Sequence, residues 1–328
     1  MGQDKARRHH QVPQFYLRGF SDGGDRVKVV RFGDRPSTFI ASVKNVAVEA
    51  NFYAVDWLDP AREGLAEQLI GDIERTASEA LRLLVRGQEL SVEQRGAVAT
   101  WVVLQYVRGR GKRADSIGLQ KTMLRANLAV RGKQRLASQL GLSDIARIDE
   151  IWDRVVVRGE LPDPPTARYN HIRMMLKTVS RVAPAYALAH WQLVTFQRRR
   201  LFTSDQPVCL WSRPSDDPGI GLLTADAVSV PLTRNIGLVI FPQIPSNTIG
   251  ESAPTTQYHR WFTTQAWMCA EEFLIMHPDD EVPDRLPSQR EPQLGTLGLP
   301  AVQQFIEIGE AWHARRDHAW AAEADTSS

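Results

Sequence analysis

Over residues 62–183 the apolar side chains recur at helical spacing, and on both sides of that stretch they alternate. This change of period constrains the fold more than any single motif. Side chains return to one face after about 3.6 residues on a helix and after every second residue on a strand. Leu65, Leu69, Ile73, Ala77, Ala80, Leu81 and Leu84 fall on one helical face, and Gly87 is a natural stop. Ser91-Val92-Glu93-Gln94 reads as a capping box, with Ser91 as N-cap and Gln94 reaching back. The helix it opens carries Val98, Trp101, Val102, Leu104 and Val107. It is expected to continue into Leu119, Met123 and Leu128, with a kink at Gly109 or Gly111. Further helices are expected from Ser143 through Trp152 and Val155 and over residues 169–182, with Pro162-Asp163-Pro164-Pro165 as linker.

The flanks read as strands. Residues 27–32 alternate Val27 and Val29 against Lys28, and residues 38–40 return as a hairpin partner across Asp34-Arg35-Pro36. Residues 43–50 are ambiguous, a single helical turn being one reading, and residues 51–55 are a short strand. After Pro184 the pattern is expected to change. Strands follow over 191–196, 208–211, 228–232 and 236–241, then a helix over 257–270 and a strand over 273–276. Residues 278–299 are proline-rich loop, Pro300 opens a helix over 302–313, and 321–328 form a frayed tail. The fold class is α+β: a mixed or antiparallel sheet built from N-terminal strands and strands of the last third. Residues 1–320 are expected to form one domain, with 62–183 as a helical subdomain.

Composition narrows the function classes. The chain of 328 residues is 43% hydrophobic and 24% charged, which suits a globular protein with a sizeable core. No apolar run reaches the roughly 18 residues of a membrane span, and the charged N-terminus lacks the apolar region of a signal peptide. No membrane association and a cytoplasmic location are therefore expected. The two cysteines, Cys209 and Cys269, exclude a disulfide framework and a four-cysteine zinc site, and read as core thiols. The net charge is only +2, so any nucleic-acid partner must be argued from local clusters. There is no GxGxxG before a helix, no Walker A loop and no HExxH spacing, which disfavours nucleotide-cofactor chemistry.

Three stretches could carry chemistry. The first is Arg7-Arg8-His9-His10-Gln11-Val12-Pro13-Gln14-Phe15-Tyr16-Leu17-Arg18-Gly19-Phe20. Histidine titrates near neutrality and serves as acid, base or metal ligand. Adjacent histidines on a strand face opposite ways, so one would enter a polar site while the other packs. Phe15, Leu17 and Phe20 would be costly to expose, so the segment should dock. The second is Leu201-Phe202-Thr203-Ser204-Asp205-Gln206-Pro207-Val208. Asp205 and Ser204 either cap a turn or face a cleft, with Asp205 as metal ligand or orienter of a histidine. No nucleophile elbow surrounds Ser204. The third is basic: Arg108, Arg110, Lys112, Arg113, Lys121, Arg125, Arg131, Lys133 and Arg135 stand with Asp115 as the sole acid among them. Arg7, Arg8 and Arg198-Arg199-Arg200 add two clusters. Such patches bind phosphates, or else form a solvated face balanced elsewhere. Glu67 and Glu74, Asn51 and Tyr53, and the isolated His171, His190, His259 and His277 are weaker signals.

The run from His9 to Phe20 resembles the N-terminal signature of a bacterial family, the domain of unknown function numbered 4238. Phe202 to Val208 looks like that family's second signature. Asn51-Phe52-Tyr53 and Val230-Pro231-Leu232 sit where similar members carry related residues. The resemblance spans residues 9–276 and implies no activity. It does imply that the two signatures meet, which would bring His9 or His10 near Asp205.

The leading expectation is a phosphodiester hydrolase, a nuclease, with a place in a defence or toxin system added by the bacterial setting rather than by residues. His9 or His10 would be acid, base or metal ligand, Asp205 and Ser204 its partners, and Gln14 and Tyr16 would position substrate. Arg7, Arg8, Arg108, Arg110, Lys112 and Arg113 would guide the nucleic acid. A divalent metal is a candidate cofactor, its identity open, and the oligomeric state is also open. The alternatives are a non-catalytic module for nucleic acid or protein, and a His/carboxylate metalloenzyme on a small molecule.

Overall fold

The structure is a computed structural model, and it describes residues 8–32, 35–50, 52, 64–213, 220–246 and 248–282. Arg7, Asn51 and Tyr53, the strand expected over 51–55, the helix expected over 302–313 and the tail lie outside the described residues.

The N-terminal segment forms β1 (Arg8–His10), a one-turn helix α1 (Gln14–Leu17) and a 3-10 turn at Arg18–Phe20. The expected hairpin follows as β2 (Arg26–Arg31) and β3 (Ser37–Ser42). The ambiguous stretch after it holds both a 3-10 turn (Val43–Asn45) and β4 (Val48–Ala50). The helical middle is α2 (Leu65–Val85), α3 (Val92–Val107), α4 (Arg110–Leu140), α5 (Ile145–Trp152) and α6 (Ala167–Leu188). The last third supplies β5 (Ala189–Thr195), β6 (Thr203–Ser204), β7 (Cys209–Trp211), β8 (Ala227–Pro231), β9 (Ile236–Pro245) and β10 (Ile249–Ser252). It closes with α7 (Thr256–Cys269) and β11 (Phe273–Met276).

The fold is α+β, with strands at both ends of a helical middle. The strands form three sheets among the described residues, not one. A two-stranded ribbon pairs β1 with β4. A four-stranded sheet in the order β3-β2-β11-β6 joins the N-terminal hairpin to strands of the last third. A five-stranded sheet in the order β10-β5-β9-β8-β7 is built from the last third alone. All pairings are antiparallel except β10 with β5.

The chain divides into two compact units. The larger takes the described chain up to Arg113 and from Arg168 onward, and the smaller takes Ala114–Ala167. The separate helical unit is thus shorter than the 62–183 stretch, because α2, α3 and α6 bury their apolar faces in the larger unit. Its core brings Ala77, Leu81, Leu84, Val98, Trp101 and Tyr186 together with Leu17, Val27, Trp191 and Val239. The smaller unit packs Leu128, Ala129, Leu136, Trp152 and Val156 into its own cluster. Gly132, at φ 76°, breaks α4 in a conformation that suits glycine.

Two helix readings need correction. Leu65 and Leu69 are exposed, and burial in α2 begins at Ile70, so the apolar stripe starts before the helix reaches the core. Helix α6 continues past Pro184 to Leu188. Proline's fixed φ is compatible with a helix. The hydrogen bond it removes is outweighed by burial of Val182, Ala183 and Tyr186 around it.

Candidate functional site

The histidine pair lies on β1, in register with β4 as Arg8↔Ala50, His9↔Glu49 and His10↔Val48. Strand geometry sends the two rings to opposite faces. His9 is buried, with Nε2 3.4 Å from Glu67 Oε2 of α2. His10 is half-buried, with Nε2 3.2 Å from Lys44 O and 3.3 Å from Gln14 Nε2. A carbonyl only accepts, so the contact with Lys44 O puts the proton on Nε2. A neutral His10 has its basic lone pair on Nδ1. Ala47, which precedes β4, is held at φ 51°, and its carbonyl accepts the Gln11 N–H at 2.8 Å.

A polar clamp holds this ribbon. Gln11 O accepts from Gln105 Nε2 at 2.8 Å and from Arg108 Nε. Arg108 also donates to His10 O at 3.0 Å and pairs with Glu74. Arg108 has no exposed surface. The expectation that it guides nucleic acid is therefore corrected: its guanidinium is consumed inside the protein. Glu49 of β4 accepts from Gln11 Nε2 at 2.7 Å, Arg110 Nε at 2.8 Å and Arg113 Nη1 at 3.3 Å. The Arg113 guanidinium lies 3.3 Å from the centre of the Phe52 ring. The Lys112 ammonium lies over Tyr106 at 4.9 Å. Within the smaller unit, Lys121 pairs with Asp163 and Lys133 with Asp149, and Arg125 donates to Val156 O. Much of the basic run is thus neutralised by acids that the linear sequence keeps far away. The side chain of Arg8, like Arg7, is outside the described residues.

The second segment is a buried turn. Thr203 and Ser204 pair with Ile275 and Leu274 of β11. Asp205 accepts from the backbone N–H of Glu271 at 2.8 Å, Glu272 at 2.6 Å and Phe273 at 3.3 Å. Its carboxylate caps the loop that leads into β11. Burial pushes its pKa up to about 6, against the lowering effect of those donors. Ser204 Oγ bridges its own turn, donating to Gln206 O at 2.8 Å and accepting from Gln206 N at 3.2 Å. Ser204 is engaged within its own turn, whereas Asp205 ties that turn to the loop at residues 271–273. His171 is also buried, and burial followed by the charge of Arg113 holds its pKa down to about 4.

The two segments do meet, but through other residues. The hydroxyl of Tyr16 donates to Pro231 O and lies 2.7 Å from Thr203 Oγ1, so Thr203 is the donor to Tyr16. Arg110 adds a second link, bonding Glu49 on one side and Glu272 at 2.7 Å on the other. The Asp205 carboxylate is turned onto the backbone of residues 271–273, and these two bridges carry the link. Three acids escaped sequence reasoning: Glu49, Glu271 and Glu272. Glu271 accepts from Gly111 N at 2.9 Å and from Gln206 Nε2 at 2.8 Å. A Cβ on Gly109 would stand 1.7 Å from Gln206 Nε2. The Gly109-Arg110-Gly111 spacing was the available signal, and it marks a close approach between segments rather than only a kink. Among the described residues no three or more His, Cys, Asp or Glu gather as a metal-ligand set.

No described helix is long and apolar enough to cross a membrane. No curated protein and no solved structure matches the chain. A family model described as a protein of unknown function, DUF4238, matches residues 8–282.

Proposed function

We propose that this chain, which belongs to the DUF4238 family, is a phosphodiester hydrolase that works through His10, with nuclease activity as the specific reading. One observation carries it. His10 is the half-exposed histidine of the signature, and its Nε2 is held against Lys44 O beside Gln14. A backbone carbonyl on one ring nitrogen fixes the tautomer and orients the other nitrogen as a base. Gln14 steadies the same ring. In this reading Asp205 and Ser204 shape the neighbouring turn and do not touch the reacting atoms.

The test is cleavage of single-stranded RNA and DNA by wild type and by His10→Ala and His10→Gln. The expected loss is roughly 10²- to 10⁴-fold in rate, the usual contribution of a positioned acid or base, with nucleic-acid affinity retained. Equal cleavage by all three proteins would remove His10 from the chemistry.

A second reading, a non-catalytic binding module, is favoured by a different observation: Asp205 and Arg108 are both consumed by internal hydrogen bonds. Salt-dependent affinity for RNA or DNA without any cleavage by wild type would support it.

A further inference from the structure

The chain has two cysteines, Cys209 and Cys269, and both are free thiols. Cys209 opens β7 and Cys269 ends α7, and the strand and the helix pack on each other. Cys209 and Trp211 stand two apart on the strand, so they point to one face. Trp261, Gln265 and Cys269 recur four apart on the helix, so they share one side. These two rows meet. The Trp211 and Trp261 rings pack edge to face, 6.4 Å apart at 84°. One helical turn further on, Cys209 Sγ lies 3.3 Å from Gln265 O. That carbonyl is the one that accepts the Cys269 N–H within α7. Helical side chains lean toward the N-terminus, so the Cys269 side chain is carried back over this turn, toward Cys209. The side chains of Cys209 and Cys269 hydrogen-bond each other.

The two thiols differ in access. Cys209 is fully buried, and burial pushes its thiol well above the usual range. Cys269 is half-buried. The thiolate is the reactive form of cysteine and needs exposure to meet an oxidant. Oxidation therefore starts at Cys269, with Cys209 placed behind it to resolve the product.

The pair also sits where two segments are already tied. Cys209 follows the turn at residues 204–207, and its Sγ lies 3.7 Å from Gln206 O, which also accepts from Ser204 Oγ. Cys269 precedes the loop at residues 271–273, whose N–H groups donate to Asp205. Glu271 of that loop accepts from Gln206 Nε2 at 2.8 Å. A bond between Cys209 and Cys269 would run beside these hydrogen bonds and join the same two segments covalently.

We propose that Cys209 and Cys269 are a redox-active dithiol, which a hydroperoxide converts to an intramolecular disulfide that locks the 204–208 turn to the 270–273 loop. In the first step the Cys269 sulfur attacks one peroxide oxygen. An S–O bond forms, the O–O bond breaks, and the departing oxygen takes the thiol proton and leaves as water or an alcohol. In the second step the Cys209 sulfur attacks the sulfenic sulfur of Cys269. An S–S bond forms, the S–O bond breaks, and the hydroxyl leaves as water with the Cys209 proton. Two electrons pass from the thiols to the peroxide, and a thiol reductant reverses the change. The site is separate from His10 and does not rest on the hydrolase reading.

The experiment treats the full reduced chain with hydrogen peroxide, removes the excess and counts thiols in the denatured protein. Both thiols should disappear together, with a mass lower by about 2 Da for the two hydrogens given up. Both should return with dithiothreitol. Peptide mapping without reductant should find the Cys209–Cys269 cross-link. The oxidised chain should melt at a higher temperature than the reduced one, because the cross-link restricts the unfolded state. Cys209→Ser removes the resolving thiol, and dimedone should then trap a sulfenic acid on Cys269, with circular dichroism to show that the variant is folded. In Cys269→Ser, altered at a half-exposed position, Cys209 should react at least tenfold more slowly than Cys269 does in wild type. That variant and the wild-type peptide map decide the matter even where Cys209→Ser does not fold. The proposal is overturned if Cys269 goes on to sulfinic acid while Cys209 stays a free thiol, or if the cross-link joins two copies of the chain. It is also overturned if both thiols survive millimolar peroxide, or if Cys209 in Cys269→Ser reacts as fast as Cys269 in wild type.

Discussion

Tyr16 and Thr203, 187 residues apart in the chain, share a 2.7 Å hydrogen bond that joins residues 9–20 to residues 201–208. Burial raises the Tyr16 phenol far above its usual range, so it remains neutral and donates its hydrogen bond to Pro231 O. Tyr16→Phe leaves Thr203 and Pro231 O without that partner in a dry site. The expected cost is about 1–3 kcal/mol, the penalty for stranding buried polar groups, read as a lowered urea midpoint. Thr203→Val should cost a similar amount, and the double variant less than the sum. Strict additivity would show that the two hydroxyls do not depend on each other.

Arg108 and Arg110 are near neighbours in sequence with opposite fates. Arg108 is fully buried on Glu74 and the carbonyls of His10 and Gln11, whereas Arg110 is 46% exposed. Arg108→Met should cost about 3–5 kcal/mol, because Glu74 and two inward carbonyls lose their donor. Arg110→Met should cost no more than about 1 kcal/mol. Comparable urea midpoints for the two variants would contradict the buried clamp.

Two buried groups give stability opposite dependences on pH. Asp205 has a folded pKa of about 6 against 3.8 when unfolded, so the folded state holds the proton more tightly. Its contribution is greatest at low pH and is lost as pH rises through about 6. His171 has a folded pKa of about 4 against 6.5, so the unfolded chain takes the proton first. Its contribution is greatest above 6.5 and is lost as pH falls toward 4. The windows overlap between about 4 and 6, and the two slopes offset each other there. Asp205→Asn should make stability fall more steeply than wild type on acidification. His171→Gln should make it fall less steeply. Urea unfolding across that range checks both, and a wild-type slope in either variant removes the group concerned.

Glycines separate by what surrounds them. A Cβ on Gly237 of β9 would lie 2.3 Å from the ring of Phe262, which is fully buried. Gly237→Ala should therefore destabilise by about 1–3 kcal/mol through overpacking. A Cβ on Gly96 of α3 would meet nothing within 4 Å. Gly96→Ala should stabilise by about 0.5–1 kcal/mol through helix propensity. Differential scanning calorimetry should show Tm moving in opposite directions.

Elements specified by short-range chemistry were legible in the residues. The Ser91–Gln94 capping box forms as read, with Gln94 N on Ser91 Oγ and Ser91 N on Gln94 Oε1. The β2–β3 hairpin forms with Val27 and Val29 on its buried face. The opposite facing of His9 and His10 also followed from strand geometry alone. Features that depend on a distant partner were not legible. Nothing near Leu65 or Leu69 announces that the core begins only at Ile70. The basic run from Arg108 onward reads as a free positive face until Glu49, Glu74, Asp149, Asp163 and Glu272 are placed against it. Strand β10 went unread because Ile249-Gly250-Glu251-Ser252 has no alternation of its own, and its parallel pairing with β5 supplies the order.

By itself the sequence determined the α+β class and the helical middle, and it singled out residues 9–20 and 201–208. Helix period, strand alternation, caps and turn residues act within a few positions, and each is written in adjacent side chains. Tertiary structure alone decided what those segments do for one another. It joined Tyr16 to Thr203, turned Asp205 onto the backbone of residues 271–273, buried Arg108 while leaving Arg198, Arg199 and Arg200 without an ion pair to any described residue, and set Trp211 beside Trp261. The physical reason is that charge and burial are sums over neighbours. Those neighbours come from parts of the chain that only folding brings together.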